Sequence, residues 1–352
     1  MRVLVTGGAG FIGSSTAIAL AASHPDWRIE ACDSLYRRGS ELNLPRLREA
    51  GVSFTHADVR QPADLARTGP FDALVECSAE PSVMASVEGG TDFVVQANLM
   101  GAYNCLELAA RNGAQVVFLS TSRVYPHAHL SELAFDETPT RYELCADQPL
   151  AGASERGVTE QFPLDGARTL YGATKLAAEL LLTEYAESHG LPTVIDRCGV
   201  IAGPWQLGKV DQGVFTHWLL SYYFGRPLAY IGFGGTGKQV RDLLHVDDLV
   251  ALIEHQLTDR RHWAGKTFNV GGGRECSLSL RETSEICRDL TGGDFEPAPI
   301  PETRPGDVPC YVSDCSALYE HTAWRPRRDP RGILADILDW IRSNDDLVRS
   351  TL

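Results

Sequence analysis

The stretch RVLVTGGAGFIG, residues 2 to 13, constrains the fold more than any other part of the chain. A short apolar run enters three spaced glycines, Gly7, Gly10 and Gly13, and these open an apolar segment of helical character. A glycine turn between strand and helix lets the backbone approach a ligand closely. The free N–H groups at the helix start then favour an anion such as a pyrophosphate. The next β-rich run, RIEACD, ends in Asp33, twenty residues after Gly13. A carboxylate there accepts hydrogen bonds from adenosine ribose hydroxyls and repels a 2′-phosphate. The pattern therefore predicts NAD, with Arg37 and Arg38 as the residues that would serve NADP instead.

The same texture recurs in VSFTHAD (52–58), FDALVEC (71–77), QVVFLS (115–120) and TVIDRC (193–198). These runs alternate little, as strands covered on both faces do, and helical stretches separate them. The order predicts an α/β fold with a doubly wound parallel sheet of the Rossmann kind. The longest helices are expected over 91–112 and 171–189. The second carries Leu176, Leu180, Leu181 and Tyr185 at helical spacing and stops at Gly190, ahead of Pro192. Both are apolar on more than one face, so a homodimer is expected in which they meet a partner subunit.

Beyond residue 198 the chain turns to loops rich in glycine and proline, among them IAGPWQLGK, GFGGTGK, VGGGRE and PETRPGDVP. A cofactor domain over 1–198 is expected, with some later segments returning to it, and a smaller C-terminal α/β substrate domain over most of 199–352. Helix starts remain legible: Asp247 stands before DLVALIEHQL, and Ser279 with Glu282 forms a capping box.

Bulk properties exclude several classes. A net charge of −14 argues against a phosphate-backbone partner, so no nucleic acid is expected. The N-terminal residues form a strand without a basic leader, and no apolar run approaches the roughly 18 residues of a membrane span. A cytoplasmic protein without membrane attachment is expected. The nine cysteines are scattered with no CxxC, so neither disulfides nor zinc are expected. Cys310 with Cys315, and His127 with His129, lack further ligands nearby in sequence. No metal is predicted.

Tyr171 and Lys175 lie four residues apart in LYGATKLAAE, one turn apart on one helix face. An ammonium beside a phenol stabilises the phenolate, which makes tyrosine usable as a base near neutral pH. A surface Tyr and Lys on an amphipathic helix would read the same way. The glycine turn and the Ser/Thr-rich strand end STSRVYP favour chemistry.

Taken in order, TGGAGFIG, Asp33, HADVR, STSRVYP, YGATK, RCGVIAGP, VRDLLHVDDL, FNVGG and RPGDV resemble the extended short-chain dehydrogenases/reductases that act on nucleotide sugars. The likeness spans nearly the whole chain. It implies that Gly7, Gly10, Phe11, Ile12, Gly13 and Asp33 hold the cofactor, that Asp58 and Val59 flank its adenine, and that Ser78, Ala79 and Asn98 line its diphosphate and nicotinamide side. It also places Thr121, Tyr171 and Lys175 at the reacting sugar, the last two touching the cofactor as well. Glu80, Ser122 and Arg123 would adjoin the substrate, and Arg241 and Arg304 would grip its diphosphate, as guanidinium forks do well.

In the sugar 4,6-dehydratases of that family, the residues after the catalytic Thr are Asp and Glu, which eliminate water. Decarboxylating members keep the Glu. This chain has Ser122 and Arg123, so the resemblance implies hydride transfer with one proton carrier, the pattern of an epimerase. DSLYRRGSELNL, DETPTRY, DQG and GKQVRDLLH are most similar to CDP-paratose (CDP-tyvelose) 2-epimerases, which oxidise C2. Departures are VYP for VYG, ECSAEPSV for a histidine-led segment, Val200 for Asn and a lengthened 141–169. Epimerisation at C4 or C3, an NDP-sugar reductase or dehydrogenase, and a non-catalytic NAD sensor remain open as alternatives.

Overall fold

A computed structural model of the protein describes residues 1–82, 90–208 and 213–351. Val83 of ECSAEPSV, Lys209 of IAGPWQLGK, and Asp211 and Gln212 of DQG lie outside them. The strands used below are β1 (Arg2–Thr6), β2 (Arg28–Asp33), β3 (Ser53–His56), β4 (Ala73–Glu76), β5 (Gln115–Thr121), β6 (Thr193–Cys198), β7 (Val200–Ala202), β8 (Val240–His245), β9 (Lys266–Val270), β10 (Ser277–Ser279) and β11 (Cys310–Tyr311). The helices are α1 (Phe11–Ser23), α2 (Gly101–Asn112), α3 (Leu170–His189), α4 (Val214–Phe224), α5 (Val246–Thr258), α6 (Leu280–Thr291) and α7 (Pro330–Ser343).

Seven strands form a parallel sheet in the order β9–β6–β5–β4–β1–β2–β3. The order reverses between β1 and β4, the place where doubly wound sheets bind nucleotides at the carboxyl ends of the strands. The runs with least alternation are the most buried: every residue of β5 and β6 is buried, as are the last four of β1. The expected helix over 91–112 forms as one continuous run, α-helical from Thr91 to Val95, a π turn over Gln96–Met100, then α2. Among the described residues no helix is long and apolar enough to cross a membrane.

The chain divides into two units, and the division is interleaved. The first comprises Met1–Thr121, Leu170–Arg197 and Leu249–Thr267; the second comprises Ser122–Thr169, Cys198–Asp248 and Phe268–Leu352. Residues 122–169 thus fall in the second unit, and most of α5 falls in the first. The first unit's core gathers Leu4, Leu74, Leu106, Phe118, Leu182 and Ile195 around the sheet. In the second, α4, α6 and α7 pack Phe215, Leu219, Ile333, Leu334 and Ile337 against Leu243 of β8. There β8 pairs in parallel with β7 and β11 and antiparallel with β10.

The capping box forms with both halves, Ser279 accepting from the Glu282 N–H and Glu282 from the Ser279 N–H. Asp247 differs from expectation. Helix α5 begins at Val246, two residues ahead of the expected start at Asp248, and Nδ1 of His245 accepts the Asp247 N–H at 3.1 Å. The imidazole supplies the cap, leaving Asp247 and Asp248 in the first turn, where they complement the helix dipole.

Candidate active site

The glycine turn is built so that side chains cannot enter it. Gly7 has φ +60°, and a Cβ there would stand 2.8 Å from the Cys77 carbonyl; a Cβ on Gly13 would stand 2.2 Å from the Gly7 carbonyl. The Gly10 N–H closes the turn on the Gly7 carbonyl at 2.9 Å. No side chain among the described residues caps α1, so Phe11 and Ile12 open the helix with backbone donors suited to an anion. Asp33 is tied to the same turn, since its Oδ2 accepts the Ala9 N–H at 3.1 Å and its Oδ1 the Leu35 N–H at 2.8 Å. Leu35 adopts a left-handed φ of 53° to make that turn. Burial pushes the Asp33 carboxyl up, and the two backbone donors pull it back. A cradle that any Cβ would fill, with a carboxylate at its rim, fits a dinucleotide.

Asp58 and Val59 are held by partners that the sequence reading missed. Arg60 forks onto Asp58 through Nε and Nη2, which holds that carboxyl below its usual range. The same guanidinium lies 4.8 Å over the Phe93 ring, and Phe93 stacks on Tyr36 at 4.4 Å. The Val59 carbonyl accepts from Asn104 at 2.9 Å, and a Cβ on Gly101 would stand 2.7 Å from Val59 Cγ2. An arginine two places after an aspartate was the visible signal; Phe93 and Asn104 gave none.

At the end of β4, Ser78 and Ala79 lead to Glu80, whose N–H donates to Asn98 Oδ1 at 2.7 Å. Asn98 sits in the π turn, a distortion that often re-aims a side chain at functional sites. Its amide also donates to the Glu80 carbonyl at 3.1 Å and to Thr174 Oγ1 at 3.2 Å, while Thr174 donates to the Tyr171 carbonyl at 2.8 Å. Asn98 therefore joins the β4 loop to the first turn of α3.

Thr121 ends β5 and is buried; Tyr171 is the second residue of α3 and half-buried; Lys175 is 2% exposed. The Lys175 Nζ lies 4.2 Å from the centre of the Phe118 ring and 3.6 Å from Glu76 Oε2. One turn further on, Glu179 accepts from Arg197 Nε and Nη2 and from Ser120 Oγ, closing a buried network. A phenol with an ammonium one turn away on the same helix can take and return a proton.

The remaining predicted residues belong to the second unit. Ser122 and Arg123 form a 3-10 turn, and Arg123 Nη1 donates to the Gly306 carbonyl at 3.2 Å. Arg241 Nη2 donates to Asp307 Oδ1 and to the Val308 carbonyl, each at 2.7 Å. The Asp307 N–H returns to the Arg304 carbonyl at 3.2 Å, so Arg304 heads a turn held by both arginines. Asp307 as partner of Arg241 was not anticipated. All nine cysteines are free, and no group of three or more His, Cys, Asp or Glu that could hold a metal ion occurs among the described residues.

Comparison with known proteins fits this geometry. The model of the NAD dependent epimerase/dehydratase family matches residues 3–271. The CDP-paratose 2-epimerase of Salmonella typhi is 29% identical over 356 residues, covering 97% of this chain and 100% of that one. A dTDP-glucose 4,6-dehydratase of Mycobacterium tuberculosis is 28% identical over 349 residues, covering 98% and 94%. Among solved structures, a dTDP-glucose 4,6-dehydratase of Streptomyces venezuelae with NAD bound superposes with a TM-score of 0.80 at 29% identity, covering all of both chains.

Proposed function

The chain belongs to the NAD dependent epimerase/dehydratase family, an enzyme family with NAD as cofactor, and from that premise we propose that it is a nucleotide-sugar epimerase. It inverts a sugar carbinol carbon, C2 in the favoured reading, by transient oxidation and reduction from the opposite face. The observation that carries this over the dehydratase reading is the strand end Thr121-Ser122-Arg123. Elimination of water needs a carboxylic acid and a base beside the sugar, and Ser122 and Arg123 are neither. Arg123 is moreover engaged with the Gly306 carbonyl. The 2-epimerase relative supports the choice of C2.

In this reading, bound NAD supplies the acceptor and donor of the hydride. Gly7, Gly10, Phe11, Ile12 and Gly13 hold its pyrophosphate, Asp33 its adenosine ribose, Asp58 and Val59 its adenine, and Ser78, Ala79 and Asn98 its remaining length. Tyr171 takes the hydroxyl proton from the sugar and later returns it. Lys175 keeps the phenolate accessible, and Thr121 positions the sugar oxygen. Arg241 and Arg304 hold the diphosphate, and Glu80, Ser122 and Arg123 adjoin the sugar. The enzyme works in the cytoplasm, a compartment that its nine free cysteines suit. It works as a homodimer, for which the exposed Met100, Tyr103 and Leu180 along the 91–112 run and α3 supply the apolar contact.

The test is incubation with a panel of nucleoside-diphosphate sugars in ordinary and deuterated water. Inversion without net NADH, and without solvent deuterium at the inverted carbon, is the expected result; NMR couplings then name the carbon. A product lighter by one water would make the protein a dehydratase, and stoichiometric NADH a dehydrogenase.

A further inference from the structure

Glu76 closes β4 at the place where the sequence departs from a histidine-led segment. It is 2% exposed, yet its Oε2 finds no hydrogen-bond partner among the described residues. Its Oε1 accepts the Ser78 N–H at 3.0 Å and lies 3.5 Å from Thr6 Oγ1. The orphaned oxygen points at Lys175, 3.6 Å away. Besides Lys175 from α3, the titratable groups around this carboxyl among the described residues are thiols: Cys32 of β2, Cys77 on its own strand end and Cys105 of α2, all raised by burial. Phe118 of β5 covers the ammonium from another side. The other buried carboxylate on this stretch of α3, Glu179, is engaged by Arg197 and Ser120.

A lysine this deeply buried is driven toward its neutral form unless a negative charge stands against it. We propose that Glu76 is a positioning residue, the counter-ion that keeps Lys175 an ammonium in the first turns of α3. This rests on reading Tyr171 and Lys175 as the proton-handling pair, since a neutral amine would no longer stabilise the Tyr171 phenolate. The pair is conditional on pH: burial pushes the Glu76 carboxyl up and Lys175 pulls it down. Protonating Glu76 removes the counter-charge.

The chain is unusually suited to a direct test, because it contains four lysines, Lys175, Lys209, Lys238 and Lys266. Protein labelled with 13C at lysine Cε gives four resonances, and Lys175→Arg identifies the one of interest. Glu76→Gln should lower the pH at which the Lys175 resonance titrates by at least about one unit, a tenfold change in its acid dissociation constant. The Lys238 and Lys266 resonances should stay in place. A merely structural role for Glu76 would lower the unfolding temperature and leave the Lys175 midpoint unmoved, which would overturn the proposal. If the glutamine variant does not fold, Glu76→Asp carries the test with a smaller lowering in the same direction, and no lowering again overturns it. The measurement needs no substrate. A failed sugar panel would sink the epimerase reading alone, and an unmoved midpoint would sink the role of Glu76 alone.

Discussion

Two buried cation–carboxylate pairs stand one turn apart along α3. In the first, Arg197 reaches Glu179 with two nitrogens, the closest at 2.7 Å, and Ser120 supplies a third donor. In the second, Lys175 stands 3.6 Å from Glu76, and the facing oxygen accepts no hydrogen bond among the described residues. A guanidinium fork saturates a carboxylate and fixes its geometry; an ammonium over an aromatic face leaves charge unspent. In the proposed reading the difference separates scaffold from working part: Arg197–Glu179 ties α3 to β6, whereas Lys175–Glu76 joins the turn of α3 that follows Tyr171 to the end of β4. A third carboxylate extends the series. Asp196, on β6, is wholly buried with Gln256 as its hydrogen-bond donor, and burial raises its carboxyl to about 7.

The sharpest way to test the division is Tyr171→Phe, which removes the proposed proton acceptor and keeps the ring. Turnover should fall by about 10²–10⁴-fold, with NAD affinity by calorimetry and the unfolding temperature nearly unchanged. Near-wild-type turnover would end the assignment of the working half. Arg197→Met should do the opposite, leaving Glu179 buried without its cation. A loss of about 3–5 kcal/mol is expected in urea unfolding, with the NAD affinity of the folded protein retained. A loss below 1 kcal/mol, read the same way, would show that this pair is not scaffold.

Asp196→Asn tests the carboxylate that has no cation among the described residues. The folded-state value of about 7 lies above the ordinary 3.8, so the native state favours the neutral acid. Its contribution is fully present below 3.8 and is lost as the pH rises through about 7. The asparagine variant should therefore match wild type at pH 4 and be more stable at pH 8, by roughly 4 kcal/mol. Equal stability at both values would refute the buried-acid account. The smallest effect belongs to a control in the second unit. Ser279→Ala removes half of the capping box and should cost about 1 kcal/mol in thermal unfolding, leaving the Lys175 resonance where it was.

Much of the fold could be read from short patterns because these elements are specified locally. The glycine turn, Asp33, the buried strands, α3 and the Ser279 capping box each depend on residues within a few positions of one another. What was not legible depends on partners far apart in the chain. Nothing in ECSAEPSV announces that its first glutamate, Glu76, will face Lys175, and nothing in VRDLLH announces that Arg241 will be held by Asp307. The start of α5 was misplaced because a histidine ring caps it, a role that sequence patterns assign to Asp, Ser, Thr or Asn. The π turn that carries Asn98 leaves no pattern at all. A change of texture marks one border well and several borders poorly, so the passage of 122–169 to the second unit left no sign in the sequence.

The turn headed by Arg304 has a consequence for descent. Arg123 occupies the position at which dehydratases of the resembling family carry their glutamate, and here it braces the Gly306 carbonyl. A mutation that restored the acid would in the same stroke release one of the two arginines fastening that turn. In the proposed reading, one residue therefore bears both on the choice of reaction and on the turn from which Arg304 would reach the substrate's phosphates. A lineage that acquired an acid at position 123 would lose that brace in the same step.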